Sequence, residues 1–293
     1  MKRKQTHNRR LFKKKKSHIR KKLGCLMVTI MLIPVAYGFY LYYLQTQTIT
    51  DRDLQQIEAT EFVYTYKELD IPQTVAPRQE QVISHTGYTV SYNKEWKIPN
   101  WVSYELIRGE IHGVEKRKDR FIVDPQVEGP SATNSDYLRS GYDKGHMAPA
   151  ADMKWNSTAM KESFYFSNIC PQHPQLNRRA WKELEEKIRS WVVTDSAVLV
   201  ICGPIVDSKR QKIGNNNVSI PKQFFKVILS PFAQPTRAIG FLFPNEHATA
   251  PLPNYVVTID SIESLTGLDF FSPLPDDIEN RIESHSDYRE WPE

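Results

Sequence analysis

The chain has 293 residues, of which 25% are charged and 40% hydrophobic, and it contains three cysteines. This composition excludes a wholly disordered polymer, a multi-span membrane protein and a disulfide-dense scaffold. The net charge of +5 hides an uneven distribution, because 12 of the 39 Lys and Arg lie in residues 1–22. The rest of the chain has 27 Lys and Arg against 34 Asp and Glu, which gives it a net charge of −7. The body is therefore acidic, and its overall charge gives no argument for nucleic-acid binding.

The chain begins with a basic head that runs into an apolar segment. Residues 1–22 hold no Asp or Glu, and residues 23–44 (LGCLMVTIMLIPVAYGFYLYYL) carry no charge. A helix of this length spans roughly 33 Å, enough to cross a bilayer, and the preceding basic residues favour a cytoplasmic N-terminus. We expect a transmembrane anchor over 23–44 that places the body outside the cytoplasm, in the periplasm or the extracellular space. A cleaved signal peptide is the alternative, because Ala36-Tyr37-Gly38 is a small-x-small site.

The remaining chain divides by composition into a linker, a globular body and a short tail. Residues 45–83 are polar and contain prolines without a regular period, which predicts a stalk or linker. Residues 84–280 have the texture of one globular domain, and residues 281–293 form a polar tail.

Apolar patterning predicts the elements of this body. Runs rich in β-branched and aromatic residues predict strands over 88–92, 101–107, 163–169, 197–202, 223–229 and 238–243. Apolar residues at spacings of three and four predict a helix over 178–192, and a shorter helix is expected over 259–265. Because the strands do not alternate regularly with helices, the predicted class is α+β, with a mostly antiparallel central sheet flanked by helices.

Two cysteines lie at the ends of predicted strands. Cys170 and Cys202 are small apolar side chains if they are buried as free thiols. Outside the cytoplasm they could instead form a disulfide. The sequence does not show whether the two strands are neighbours, so both alternatives stay open.

The first chemically informative segment is 136–157 (DYLRSGYDKGHMAPAADMKWNS). It places Asp143, Lys144, Gly145 and His146 together, in a segment whose glycines and following proline indicate a shaped turn. A histidine beside a cation has the properties of a general base. Alone, the same four residues are equally compatible with a structural histidine.

The second segment surrounds the predicted helix. Asn177 stands where that helix should begin, so its ordinary role is an N-cap. Glu185 and Arg189 are four residues apart, a spacing typical of an exposed ion pair of little consequence. On one continuous helix Asn177 and Glu185 differ by about 80° of rotation, so both can face one site. An amide oxygen, a carboxylate and waters suit a hard divalent ion such as Mg²⁺.

Together these segments resemble a known family. The stretches are 143–146 (DKGH), 167–172 (SNICPQ) and 176–185 (LNRRAWKELE), in that order and at the family's separation. They are similar to the DNA/RNA non-specific endonucleases, the endonuclease G and Serratia nuclease group, which have a ββα-metal (His-Me finger) active site. The resemblance extends from about residue 84 to 275 and favours a functional role for His146.

The resemblance implies a role for each matching residue. His146 corresponds to the base, Asn177 to the ligand of Mg²⁺ (or Mn²⁺), and Glu185 to the residue that supports the metal-bound waters. Three basic residues, Lys144, Arg120 and Arg189, are expected to contact substrate phosphates. Asp143 and Asn168 are expected to support the site.

The implied activity is metal-dependent hydrolysis of phosphodiester bonds in DNA and RNA, without preference for sugar or sequence, by a membrane-anchored endonuclease. One departure from the family pattern is Lys144, because the family has arginine there and lysine lacks its planar fork for phosphate oxygens. A nuclease-fold binding domain with weak or no catalysis, and a phosphodiesterase acting on a non-nucleic substrate, are the alternatives. The oligomeric state stays open, with a homodimer among the options.

Overall fold

The computed structural model of the protein describes Tyr40, Leu41 and residues 69–292. The predicted basic head, nearly all of the predicted anchor at 23–44 and the first part of the predicted linker lie outside these residues. Among the described residues, no helix is both long and apolar enough to cross a membrane.

The described strands and helices of the body are short, apart from one long helix and four sheet strands. The strands are β1 (Gln73–Thr74), β2 (Gln81–Ser84), β3 (Thr89–Asn93), β4 (Ile98–Ile107), β5 (Asp143–His146), β6 (Ile169–Gln172), β7 (Ala197–Ile205), β8 (Lys212–Ile213), β9 (Val218–Ser219), β10 (Gln223–Ser230), β11 (Arg237–Pro244), β12 (Val256–Val257) and β13 (Leu268–Asp269). The α-helices are α1 (Asn134–Tyr137), α2 (Ser157–Glu162), α3 (Pro174–Arg178), α4 (Ala180–Asp195), α5 (Ile259–Thr266) and α6 (Asp276–Glu283).

A seven-stranded sheet forms the centre of the fold, in the order β12-β11-β10-β7-β4-β3-β2. Every neighbouring pair in it is antiparallel. The inner strands β7 and β10 are buried along nearly their whole length, which explains their continuous apolar runs. The α+β class and the mostly antiparallel sheet that the sequence predicts are confirmed.

Helix α4 packs its apolar face against this sheet. Trp181, Leu184, Ile188 and Val192 are buried at the spacing expected for one face of a helix. The Trp181 ring lies 5.6 Å from that of Phe224 on β10, measured between centroids. This packing fixes the helix that carries Glu185 to the middle of the sheet.

Two predicted elements differ from the structure. The strand predicted over 163–169 is wrong, because Phe166–Asn168 form a 3₁₀ turn and β6 begins only at Ile169. The aromatic residues there are buried without pairing as a strand, and β-propensity responds largely to burial. The helix predicted over 178–192 is divided, because the backbone of Arg179 (φ −123°, ψ −100°) separates α3 from α4.

The predicted domain boundaries are also too narrow. Within the predicted linker, β1 pairs with β13 and β2 is the edge strand of the central sheet. Strands of two and four residues are too short to show an alternating pattern, and edge positions tolerate neighbouring prolines. In the predicted tail, Trp291 is buried with its ring 4.4 Å from that of Trp191. One aromatic residue in a polar stretch gives little sequence signal for such docking.

Candidate active site

The DKGH segment lies in a two-stranded antiparallel pair beside the main sheet. Strand β5 pairs with β6, with Gly145 opposite Cys170 and His146 opposite Ile169. Gly145 is in the strand rather than in a turn, and a Cβ there would lie 2.2 Å from Oε1 of Gln172. Close approach of the β6 side chain therefore requires glycine at this position. Cys170 and Cys202 are both buried and free, so the disulfide alternative is not realised.

His146 occupies an enclosed aromatic setting at the end of β5. Its ring lies 5.4 Å from that of Phe121 and 5.0 Å from that of Phe164. Its Nε2 is buried and has no hydrogen-bond partner among the described residues. Burial lowers the pKa of His146 to about 3, and the nearby Arg117 guanidinium acts in the same direction. The imidazole is therefore neutral at pH 7, as a general base requires.

Asp143, at the start of β5, connects the strand to helix α3. Its Oδ2 accepts a hydrogen bond of 2.9 Å from Nδ2 of Asn177 and one of 2.8 Å from Nε of Arg178. Burial alone would raise the pKa of Asp143, but these hydrogen bonds and the Arg178 charge lower it. Asp143 is therefore an ionised anchor that orients Asn177. Because Asn177 lies inside α3, it is not the N-cap that the sequence predicts.

Glu185 belongs to a group of four charged residues between α4 and the sheet, here called the buried charge cluster: Asp152, Glu185, Arg189 and Lys226. Arg189 donates through Nη1 to Oδ1 of Asp152 at 2.7 Å, so its ion-pair partner is Asp152 rather than Glu185. Burial raises the pKa of Glu185 to about 7, while the Lys226 and Arg189 charges favour its ionised form and Asp152 opposes it. Glu185 is thus held near its titration point at neutral pH.

Lys226 is fully buried on β10. Its Nζ has no hydrogen-bond partner among the residues described and lies 4.2 Å from the centroid of the Trp181 ring. A buried ammonium over an indole face gains cation–π attraction. The charge of Lys226 also acts on both Asp152 and Glu185, so it offsets part of their negative charge.

Two side-chain contacts join the three elements that carry the predicted site. Asn177 on α3 bonds Asp143 at the start of β5. Trp181 on α4 donates through Nε1 to the carbonyl oxygen of His146 at 3.2 Å. The strand with His146 and the helices with Asn177 and Glu185 therefore form one connected unit, although Asn177 and Glu185 lie on separate helices instead of the single predicted one.

The residues predicted to contact phosphate lie in different environments. Lys144 donates through Nζ to Oδ1 of Asn134 at 2.7 Å, and this Nζ lies 4.5 Å from the centroid of the Phe121 ring. Arg120 is exposed and makes no hydrogen bond or ion pair to any residue in the described part of the chain. Arg189 is engaged with Asp152, which leaves it less free than Arg120. Their phosphate contacts stay predictions.

Asn168 is buried and hydrogen-bonds the backbone of the segment that follows His146. Its Oδ1 accepts from the Ala148 N–H, and its Nδ2 donates to the carbonyl oxygens of Ala148 and Ser163, all at 2.8 Å. The main-chain N–H of Met147 donates to the carbonyl oxygen of the same asparagine. Asn168 therefore supports the segment that follows the histidine.

A groove of mixed charge lies at the junction of helices α3 and α4. It has a volume of about 450 Å³ and lies between the 178–186 region and the 248–250 loop, with Arg178, Arg179 and Lys182 in its wall. Glu183 and Glu186 line the same groove. A chain of phosphates would find cations there in spite of the acidic body.

The oxygen donors of the site fit a hard divalent cation. The Nδ2 of Asn177 is held by Asp143, and no group in the described residues hydrogen-bonds its Oδ1. Glu185 supplies a carboxylate that the neighbouring cations favour in its ionised form. Amide and carboxylate oxygens together with waters suit Mg²⁺.

Comparison with known proteins decides the family. The profile of the DNA/RNA non-specific endonuclease family matches residues 66–277. The chain belongs to this family. The match begins 18 residues before the predicted domain boundary at residue 84, in agreement with the placement of β1 and β2 in the fold.

Relatives of the same family come from several sources. The chain is 35% identical to human mitochondrial nuclease EXOG over 65% of its own length and 56% of that protein. It is 36% identical to bovine mitochondrial endonuclease G, covering 66% of this chain and 70% of that protein. It is 35% identical to nuclease C1 of Cunninghamella echinulata var. echinulata, covering 66% of this chain and 83% of that protein. The chain thus spans little more than half the length of human EXOG.

A solved structure shares the fold. EndoG, in a crystal structure of the EndoG/EndoGI complex concerned with EndoG inhibition, superposes with a TM-score of 0.64 at 32% identity. The match covers 68% of this chain and 89% of that chain. The match agrees with the α+β fold and its mostly antiparallel central sheet.

Sequence reasoning missed two members of the buried charge cluster. Asp152 follows the DKGH motif by six residues, but no local pattern distinguishes it from a surface acid. Lys226 is the one charged residue in the apolar run 223–229 (QFFKVIL), and this isolation was a usable signal. A charge inside a predicted buried strand indicates an internal ionic partner.

Proposed function

We propose that this protein is a metal-dependent endonuclease that hydrolyses phosphodiester bonds of DNA and RNA without preference for sugar or sequence. The observation that carries the proposal is the connected unit described above, in which Asn177–Asp143 and Trp181–His146 contacts hold a neutral histidine, an amide ligand and a carboxylate together. Membership of the family supports the same reaction class.

Each residue has a chemical task in this proposal. His146 accepts the proton of the attacking water, for which its neutral imidazole is the required form. Asn177 would hold the divalent cation through Oδ1, while its amide nitrogen stays on Asp143. Glu185 would orient waters bound to the cation, since outer carboxylates fix the ligands of a metal. When bound, Mg²⁺ or Mn²⁺ supplies Lewis-acid stabilisation of the phosphate and of the leaving oxygen.

The basic residues explain the absence of sequence preference. Lys144, Arg120 and Arg189, with the Arg178–Arg179 wall of the groove, offer contacts to phosphates. Phosphate contacts position a nucleic acid without reading its bases. Substrate binding should therefore weaken steeply with salt, because it rests on counterion release.

The full-length chain tests this proposal in a plasmid-nicking and RNA-degradation assay. We expect cleavage of both polymers in Mg²⁺ and none after addition of a chelator. A folded chain that cleaves neither polymer in Mg²⁺ or Mn²⁺ would contradict the proposal and favour a binding domain. Strong competition by small phosphodiesters would instead favour a non-nucleic substrate.

We further propose that residues 23–44 anchor the enzyme in a membrane, with the N-terminus in the cytoplasm and the catalytic domain outside. The support is the uncharged run directly after 12 basic residues. The full chain should stay in the membrane pellet after an alkaline wash, whereas a chain that starts at Asp51 should be released. Release of both chains would contradict the anchor.

A further inference from the structure

Three carboxylates meet between helices α5 and α6, away from the residues of the candidate active site. Asp260 and Glu263 lie three residues apart on α5, and Glu283 is the last residue of α6. One carboxylate oxygen from each lies within 4.8 Å of the other two. We call these three residues the α5–α6 carboxylates. They bring three acidic groups to one point where two helices pack together.

Glu283 is the buried member of this group. The residue is 6% exposed, and its Oε1 is enclosed without a hydrogen-bond partner in the described part of the structure. An enclosed carboxylate oxygen without a donor is costly, because it has lost its water and gained nothing in return. The carboxyl group that carries this unpartnered oxygen lies beside two further carboxyl groups.

The nearby protein groups do not neutralise this charge. Glu263 uses Oε1 to accept from the Phe270 N–H at 2.8 Å. Of the arginines on the surrounding elements, Arg78 donates to the carbonyl oxygens at the end of α5, and Arg281 donates to that of Thr236. No ion pair joins Asp260, Glu263 or Glu283 to a cation among the residues that the structure describes.

Two more carboxylates add to the negative charge. Burial first, and then the charges of Glu263, Glu279, Asp260 and Asp269, raise the pKa of Glu283 to about 9. Every charged neighbour acting on Glu283 in this group is acidic.

We propose that Asp260, Glu263 and Glu283 form a structural Ca²⁺ site that fastens α6 to α5. All three donors are carboxylate oxygens, without the nitrogen or sulfur ligands that zinc prefers. Ca²⁺ accepts six to eight oxygens in flexible geometry, whereas Mg²⁺ usually keeps several waters and takes one or two carboxylates. The site goes beyond the proposed nuclease activity. It shares no residue with the candidate active site, and its role is to stabilise the packing of α6 against α5.

Thermal unfolding of the full-length chain tests this site. With Ca²⁺ titrated to saturation after chelator treatment, the wild-type melting temperature should rise by about 5 °C or more. Glu283→Gln removes the buried carboxyl ligand and should abolish this rise. Asp277→Asn makes the same carboxyl-to-amide change at an exposed position of the same helix and should keep it.

A further variant separates this site from the candidate catalytic metal. Asn177→Ala should keep the full Ca²⁺-dependent rise, because its side chain belongs to the other site. The proposal is overturned if wild type shows no rise, if Glu283→Gln keeps it, if Asn177→Ala loses it, or if Mg²⁺ at equal concentration gives the same rise. Should Glu283→Gln fail to fold, Asp260→Asn at the exposed edge of the group replaces it, and an unchanged Ca²⁺ half-saturation in that variant overturns the proposal.

Discussion

The buried charge cluster and the α5–α6 carboxylates place acids of the same kind in opposite electrostatic settings. In the buried charge cluster, Asp152 and Glu185 share their surroundings with Arg189 and Lys226, and an Asp152 oxygen lies 2.7 Å from Nη1 of Arg189. In the α5–α6 carboxylates, the charged neighbours that act most strongly on Glu283 are acids.

The difference shows two ways in which a fold accommodates buried carboxylates. The buried charge cluster contains its own cations, so the protein alone balances much of its charge. The α5–α6 carboxylates lack internal compensation and are completed by an ion from solution. Buried charges are tolerated when they are paired or coordinate a metal, and this molecule uses both solutions.

The largest expected effect comes from removing the internal cation of the first group. Lys226→Met keeps much of the side-chain volume but leaves Asp152 and Glu185 with Arg189 alone. Breaking one partner out of a buried ionic group costs about 3–5 kcal/mol. Urea unfolding should show a loss of this size in the free energy of unfolding.

Lys222→Met is the matched control, because Lys222 is exposed one residue before the same strand. It should change the free energy of unfolding by less than about 0.5 kcal/mol. If the two variants were equally stable, the buried charge cluster would not need its cation and the comparison would fail.

In the presence of chelator, Glu283→Gln should raise the free energy of unfolding, whereas Lys226→Met lowers it. The pKa of Glu283 is higher in the folded protein than the ordinary 4.5 of the unfolded chain. Between these values the folded state binds more protons, so rising pH destabilises it, by up to about 1.4 kcal/mol per pH unit. Glu283→Gln lacks this penalty and should be more stable than wild type at pH 7, on the order of 2 kcal/mol.

The measurement is the free energy of unfolding of both proteins in chelator, from pH 5 to pH 8. The two curves should converge towards pH 5 and separate as the pH rises. Parallel curves would show that Glu283 carries no uncompensated charge in the folded protein.

Two predicted strands, 223–229 and 163–169, show how much of the fold the sequence could predict. The inner strand predicted over 223–229 closely matches β10, because a strand buried on both faces reads as a continuous apolar run. The segment 163–169 has similar composition but forms a turn, because its aromatic rings are buried against the rings of Phe121, Tyr137 and His146. Composition therefore predicted burial in both segments and pairing in only one.

The sequence names candidate site residues where they lie in a motif. His146, Asn177 and Glu185 were named from the spacing of the three matching stretches, and their roles stay predictions. The charged neighbours of Glu185, Asp152 and Lys226, could not be predicted from the sequence. They lie 74 residues apart in sequence and meet only after the sheet forms. The α5–α6 carboxylates were missed for the same reason, since Glu283 lies 20 residues after Glu263.

The smallest expected effect concerns the exposed side of the site. Lys144→Arg should tighten nucleic-acid binding about fivefold at fixed salt, on the order of 1 kcal/mol, because arginine contacts two phosphate oxygens with one planar group. The net charge is unchanged, so the salt dependence of binding should change little. Binding titrations with a short duplex at several salt concentrations measure both quantities. If Lys144→Arg and Lys144→Ala both bound like wild type, the contact to Asn134 and Phe121 would be the whole role of this residue.

The initial rate of plasmid cleavage by His146→Ala at saturating Mg²⁺ is the most direct test of His146 as the general base. We expect a loss of at least about 100-fold, with an unchanged fold and an unchanged Mg²⁺ half-saturation in whatever activity is left. Asn177→Ala, measured alongside, should instead raise the Mg²⁺ concentration required for half-maximal rate. A His146→Ala rate within about twofold of wild type, or a loss of Mg²⁺ binding in His146→Ala but not in Asn177→Ala, would contradict the assignment of base and metal ligand.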